Sequence, residues 1–154
     1  MLGLIGKPSN IKRWSNLHVS VGINYISAER FWERGKPAPA GMRVSTNVNI
    51  VGVETKDEKL VAPFVVTIGY TPSIAQISLK GQAILSGTPE ELEKIQKDYK
   101  TQRSPPTALL QTITNVSLVE ATVLSRSLNI PPPIPLPGLQ KPPKPDKERP
   151  SYVG

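Results

Sequence analysis

Four stretches of strict apolar–polar alternation followed by two stretches of helical spacing predict an α+β domain. The expected architecture is a four-stranded antiparallel meander sheet followed by a short and a long helix. A third observation, the lack of any catalytic or metal-ligating constellation, directs the reading towards binding rather than chemistry.

Residues 17–28, LHVSVGINYISA, set Leu17, Val19, Val21, Ile23 and Tyr25 against His18, Ser20, Gly22 and Asn24. Successive strand side chains point to opposite faces, so a period of two predicts a strand with one buried face. The next stretch, RFWERGKPAPAG, carries Gly35, Pro37, Pro39 and Gly41 and reads as a loop. From 42 to 53 the alternation resumes, with Met42, Val44, Thr46, Val48 and Ile50 against Arg43, Ser45, Asn47 and Asn49. TKDE at 55–58 is a charged turn. A third strand places Phe64, Val66, Ile68 and Tyr70 on one face and ends at Pro72. In the fourth, 74–86, Ala75, Ile77, Leu79, Ala83 and Leu85 oppose Gln76, Ser78, Lys80 and Gln82. Each strand carries an apolar stripe, so one face of the sheet requires a cover.

Two helices supply it. Thr88 at the N-cap, Pro89 at the first helical position and Glu91 three residues after the cap form a capping box. This helix runs to about Lys100, with Leu92, Ile95 and Tyr99 on one side. RSPP at 103–106 interrupts the chain, and a longer helix follows to about Leu128. Its apolar stripe is Leu109, Leu110, Ile113, Val116, Ala121, Val123, Leu124 and Leu128, wide enough for a sheet or an interface. Asn129 ends it. Prolines at 131–133, 135 and 137 then impose an extended path, with Ile130, Ile134 and Leu136 as anchors expected to dock back on the domain. Beyond Leu139 the Lys, Pro, Asp and Glu composition predicts disorder. The chain thus divides into a basic arm at 1–16, an α+β domain at 17–139 and a Lys/Pro-rich tail at 140–154.

The net charge of +7 is uneven: residues 1–40 carry six basic and two acidic side chains, against eight and seven in 41–104. A basic arm suits an anionic partner such as RNA or the ribosome, with Lys7, Lys12, Arg13, Arg30, Arg34 and Lys36 on phosphates. A solvated lysine-rich surface accounts for the same charge. The chain has no cysteine, which excludes disulfides, thiolate metal sites and cysteine nucleophiles. No run approaches the roughly 18 consecutive apolar residues that span a bilayer. Leu2–Ile5 is too short for a signal-peptide core. A cytoplasmic protein without a membrane span is expected.

His18 is the only histidine and lies on a polar strand face without an acidic neighbour at ligand spacing. The carboxylates at 57–58 and 90–93 fall in a turn and a helix start, where solvation and the helix dipole account for them. With no paired carboxylates, no glycine-rich phosphate loop and no partnered serine, no enzyme, no cofactor and no metal is expected. The segment 28–34 interleaves Phe31 and Trp32 with four charges. It reads as a binding edge for protein or nucleic acid, or as a cap on the open end of the core. Phe31, Trp32, Ile134 and Leu136 are the apolar side chains least explained by the core and are the expected client contacts.

The order of four antiparallel strands, a short helix, a long helix and a proline-bearing segment resembles the SecB family of export chaperones. The resemblance is carried by LHVSVGINYISAERF, QISLKGQAILSG, TALLQTITNVSLVEATVLSRSL and NIPPPIPLPGL, and covers roughly residues 17–139. It implies an ATP-independent holdase, or protein-binding module, that holds unfolded or specific client chains in apolar grooves. It further implies a homo-oligomer, dimer or tetramer, built through strands and the long helix. SecB-type chaperones are typically acidic, with an acidic sheet surface for the translocase motor, whereas this chain is basic and its tail is Lys/Pro-rich. Motor docking is therefore not implied, and SecB-like proteins attached to toxin–antitoxin modules are the nearer comparison. RNA or ribosome association through the basic arm is the alternative.

Overall fold

The computed structural model describes residues 17–37, 39–102 and 104–134. The expectations for the arm at 1–16, for Leu136 and for the tail at 140–154 lie outside the described residues. Five strands, β1 (His18–Arg30), β2 (Arg43–Ile50), β3 (Glu54–Lys56), β4 (Lys59–Thr71) and β5 (Ala75–Ser86), precede α1 (Pro89–Gln102) and α2 (Thr107–Leu128). The α+β class, the antiparallel sheet and the short-then-long helix order are those expected.

The strand order is β1-β5-β4-β2, with β3 also paired to β4. A meander therefore holds from β2 to β5, while β1 leaves it and pairs along β5, from His18↔Ser86 to Arg30↔Ala75. The twelve-residue link 31–42 is too long for a tight hairpin and instead carries the chain across to the far edge of the sheet. This order makes β4 and β5, whose inner faces are fully buried, the central strands. The half-exposed β1 and β2 become edges. β2 and β3 together form one interrupted edge, because Val51–Val53 break the ladder along β4. The TKDE turn is a two-residue hairpin in which Asp57 (φ 51°) and Glu58 (φ 62°) are both left-handed, the backbone that suits strand twist.

A bulge in β1 at Asn24 overturns one expectation. Ile23 pairs with Gly81, but Tyr25 pairs with Lys80 and Ile26 with Leu79, so the alternation slips by one residue. Tyr25 therefore stands on the outer face, not beside Ile23, with the Lys80 ammonium 4.7 Å from its ring centre. Opposite the bulge, Gly81 meets the backbone of Gly22 and Ile23. A Cβ there would overlap the Gly22 carbonyl oxygen and lie 3.0 Å from Ile23 Cα.

The core lies between one face of the sheet and the helices. β4 contributes Leu60, Phe64, Val66 and Ile68, β5 Ile77, Leu79, Ala83 and Leu85, and the helices Leu92, Leu109, Ile113 and Ala121. α1 is capped as expected, with Glu91 N–H donating to Thr88 Oγ1 (3.3 Å) and Thr88 N–H to Glu91 Oε2 (3.4 Å). Leu92 is its one buried residue. α2 buries Leu109, Ile113, Ser117, Ala121 and Ser125, an i,i+4 ridge that packs obliquely, chiefly against β1 and β5. Small side chains in the second half of that ridge bring the helix backbone close to the strands. Ser125 Oγ donates to Thr122 O at 2.7 Å, while Ser117 Oγ is buried with no partner among the described residues. On the opposite side of α2, Val119 and Val123 are 62% and 59% exposed. By length and composition α2 is apolar enough to cross a bilayer, and its inward ridge, with Leu118, Leu124 and Leu128 beside it, packs on the core. No described element covers the outer face of the sheet.

Candidate functional site

The link from β1 to β2 begins with a fixed geometry. Phe31 and Trp32 both direct their backbone N–H groups at the Ile74 carbonyl (2.8 and 3.3 Å), tying the link to the start of β5. Arg30, the last residue of β1, turns its guanidinium onto four carbonyl oxygens. Nε donates to Trp32 O (2.9 Å), Nη2 to Glu33 O (3.3 Å), and Nη1 to Leu128 O and Asn129 O (3.0 Å each). Two of those acceptors are the end of α2, where unpaired carbonyls and the negative end of the helix dipole favour a cation. Trp32 Nε1 donates to Pro37 O (3.3 Å), closing a turn that Gly35 makes with φ 91°.

α2 is terminated as expected at Asn129, left-handed at φ 53°. Asn129 N–H reaches Arg126 O (3.2 Å) and Ile130 N–H reaches Ser125 O (3.0 Å), the two bonds of a Schellman motif. This turn drives Ile130 into the core, where it is 8% exposed. The following Pro131 carbonyl accepts from the Tyr70 hydroxyl at 2.6 Å. Burial raises the Tyr70 pKa above its ordinary value, so the phenol stays a donor. The first part of the proline segment, 130–131, thus docks back on its own domain.

Between these two fixed pieces of chain is a cavity of about 340 Å³, with Trp32, Ile74, Ile130 and Pro131 as its apolar lining and Arg30 and Lys36 at its sides. A smaller neighbour of about 250 Å³ adds Arg34 and the last turn of α2. The arrangement offers an apolar hole beside a basic rim, suited to an apolar side chain carried on an extended peptide. Among the described residues no three His, Cys, Asp or Glu side chains gather as a metal site.

Of the expected client contacts, Trp32 lines the cavity half-buried, Ile134 is half-buried beyond it, and Phe31 is 52% exposed. Of the expected anion contacts, Arg34 is exposed on the rim, and Lys36 is paired with Glu33 at 2.9 Å. Arg30 is committed to the carbonyls described above. Lys7, Lys12 and Arg13 lie outside the described residues. Ile74 and Pro131 were not among the residues singled out as contacts. Ile74 sits just after Pro72-Ser73, where a large apolar residue at the start of a strand reads simply as core.

No protein-family model matches this chain, and no curated protein matches it. Among solved structures, it is similar to the Mycobacterium tuberculosis Rv1957 SecB-like chaperone, a structure of that protein in complex with a ChAD peptide from the Rv1956 HigA1 antitoxin. The TM-score is 0.57 at 11% identity, covering 79% of this chain and 90% of the other. The chain has a SecB-like fold.

Proposed function

We propose that this protein is an ATP-independent, SecB-like holdase or protein-binding module that takes an extended segment of a client chain at the cavity between the β1–β2 link and the end of α2. The observation that carries the reading is the pairing of Trp32 with Ile74, Ile130 and Pro131 around an open apolar cavity, on a backbone held by Arg30. The SecB-like fold, and a structural neighbour solved with a peptide, support it. The exposure of Val119 and Val123 on the outward side of α2 among the described residues supports self-association as a dimer or tetramer. A phosphate-binding role finds less support, because Arg30 and Lys36 already have partners.

The test is suppression of aggregation of a chemically unfolded client, with peptide affinity read from the anisotropy of a fluorophore-labelled peptide. Trp32→Ala removes the central aromatic and is expected to weaken peptide binding by at least about tenfold, the range of a buried aromatic anchor. Failure of the unmodified protein to bind peptide or delay aggregation at molar excess overturns the proposal.

A further inference from the structure

The client cavity and its smaller neighbour share Arg30, Gly35 and Asn129, so the two adjoin along the β1–β2 link and the end of α2. Their linings differ in character. Trp32, Ile74, Ile130 and Pro131 make the larger one apolar, whereas Arg34, Ser127 and the last turn of α2 make the smaller one polar. The charged side chains on the two linings are Arg30, Lys36 and Arg34, and among the described residues no carboxylate joins them.

These three cations are not compensated alike. Lys36 is paired with Glu33 at the surface. Arg30 spends four of the five N–H groups of its guanidinium on carbonyl oxygens, neutral acceptors that leave its charge in place. Two of those carbonyls belong to the end of α2, so Arg30 offsets the negative end of the helix beside the smaller cavity. Arg34 is exposed and has no hydrogen bond or ion pair among the described residues. Glu29 stands on the other side of the sheet, since it pairs with exposed Gln76 while Arg30 pairs with buried Ala75. The balance around the two cavities is positive.

In an extended peptide, side chains two residues apart share a face at a spacing of about 6.6–6.8 Å. A client whose apolar side chain fills the larger cavity therefore presents a side chain two positions away towards the smaller one. We propose that Arg34, with the charge of Arg30 behind it, makes the site selective for client segments in which an apolar anchor has a carboxylate, Asp or Glu, two residues away. The inference rests on the client-binding reading above and narrows it: acid-flanked apolar segments are taken, and basic-flanked ones are refused.

The test uses the full chain and labelled peptides that differ only two residues to either side of a central Phe, where they carry Glu, Gln or Lys, with affinity read from anisotropy. An exposed ion pair is worth up to about fivefold in affinity, and Lys in place of Glu turns an attraction into a repulsion. The Glu peptide is therefore expected to bind about tenfold more tightly than the Lys peptide at about 0.01 M salt, with Gln between them. The gap is expected to close towards about 1 M salt, where the screening length is about 3 Å. Arg34→Glu is expected to remove most of it. Lys97→Glu, at an exposed position of α1, changes the net charge equally and is expected to leave it. A Lys peptide that binds as tightly as the Glu peptide overturns the proposal. An equal effect of the two variants also overturns it, by assigning the preference to net charge alone. The Gln peptide reports on the cavity itself. If it binds and Trp32→Ala weakens it while flanking charge makes no difference, this inference alone falls; if none of the peptides binds, the client-binding reading falls with it.

Discussion

Gly81→Ala is the sharpest test of the sheet, because its effect depends on the bulge in β1 and on β1 pairing with β5. A Cβ at this position would overlap the Gly22 carbonyl oxygen and crowd Ile23 Cα at 3.0 Å. Both obstacles are backbone, so no rotamer change relieves them, and β1 must move away from β5. Overpacking of a dense core costs about 1–3 kcal/mol, and a backbone obstacle lies at the upper end. Replacing a strand glycine recovers about 0.5–1 kcal/mol of chain entropy. The net loss is about 2 kcal/mol, which for a chain of this size lowers Tm by about 4–8 °C. Gly22→Ala is the matched control: nothing lies within 4 Å of its Cβ position, and the same entropy gain is unopposed. Thermal and urea unfolding of the two variants at equal protein concentration give the answer. Equal stability of Gly81→Ala and the unmodified chain, or a larger loss in Gly22→Ala, would refute the paired register.

Glu58→Gly in the β3–β4 hairpin removes a non-glycine residue from a left-handed site and creates an Asp-Gly turn, so Tm is expected to rise by about 2–4 °C. Tyr70 has a raised pKa in the folded chain, so its contribution is fully present below the unfolded value near 10 and is lost as pH climbs through the folded value. Urea midpoints measured from pH 8 to 11 are expected to fall above about pH 10, and Tyr70→Phe is expected to lessen that fall. The same variant costs about 1 kcal/mol at pH 7, because the Pro131 carbonyl loses its donor.

The elements were legible because burial alone writes the alternation into β4 and β5 and the spacing into the helices. The capping box at Thr88 and the stop at Asn129 were legible for the same local reason: backbone groups at helix ends call for particular side chains. What local pattern does not encode is which strands meet. The break between β1 and the meander left one sign, the length of 31–42. The bulge left another, since Tyr25 and Ile26 are adjacent large apolar residues where strict alternation allows one. Ser117 and Ser125 were missed as buried positions because a hydroxyl reads as surface unless the close approach of helix to strand is already known. At the candidate site, Trp32 and the proline segment stood out by composition. The use of Arg30 was hidden, because its acceptors at Leu128 and Asn129 lie 98 and 99 residues further along the chain.

That separation makes the cavity among the last features of the described residues to be completed as the chain is made. β1 has no partner until β5 has been made, and Arg30 lacks its Leu128 and Asn129 acceptors until the end of α2 arrives. At a synthesis rate of about 5–20 residues per second, some 100 residues correspond to about 5–20 s. During that interval Trp32 stands without the Ile130 and Pro131 wall of its cavity. Under the proposed function, receptivity to other polypeptides is thus timed by completion of α2, and a truncation just before Leu128 yields a sheet without the cavity.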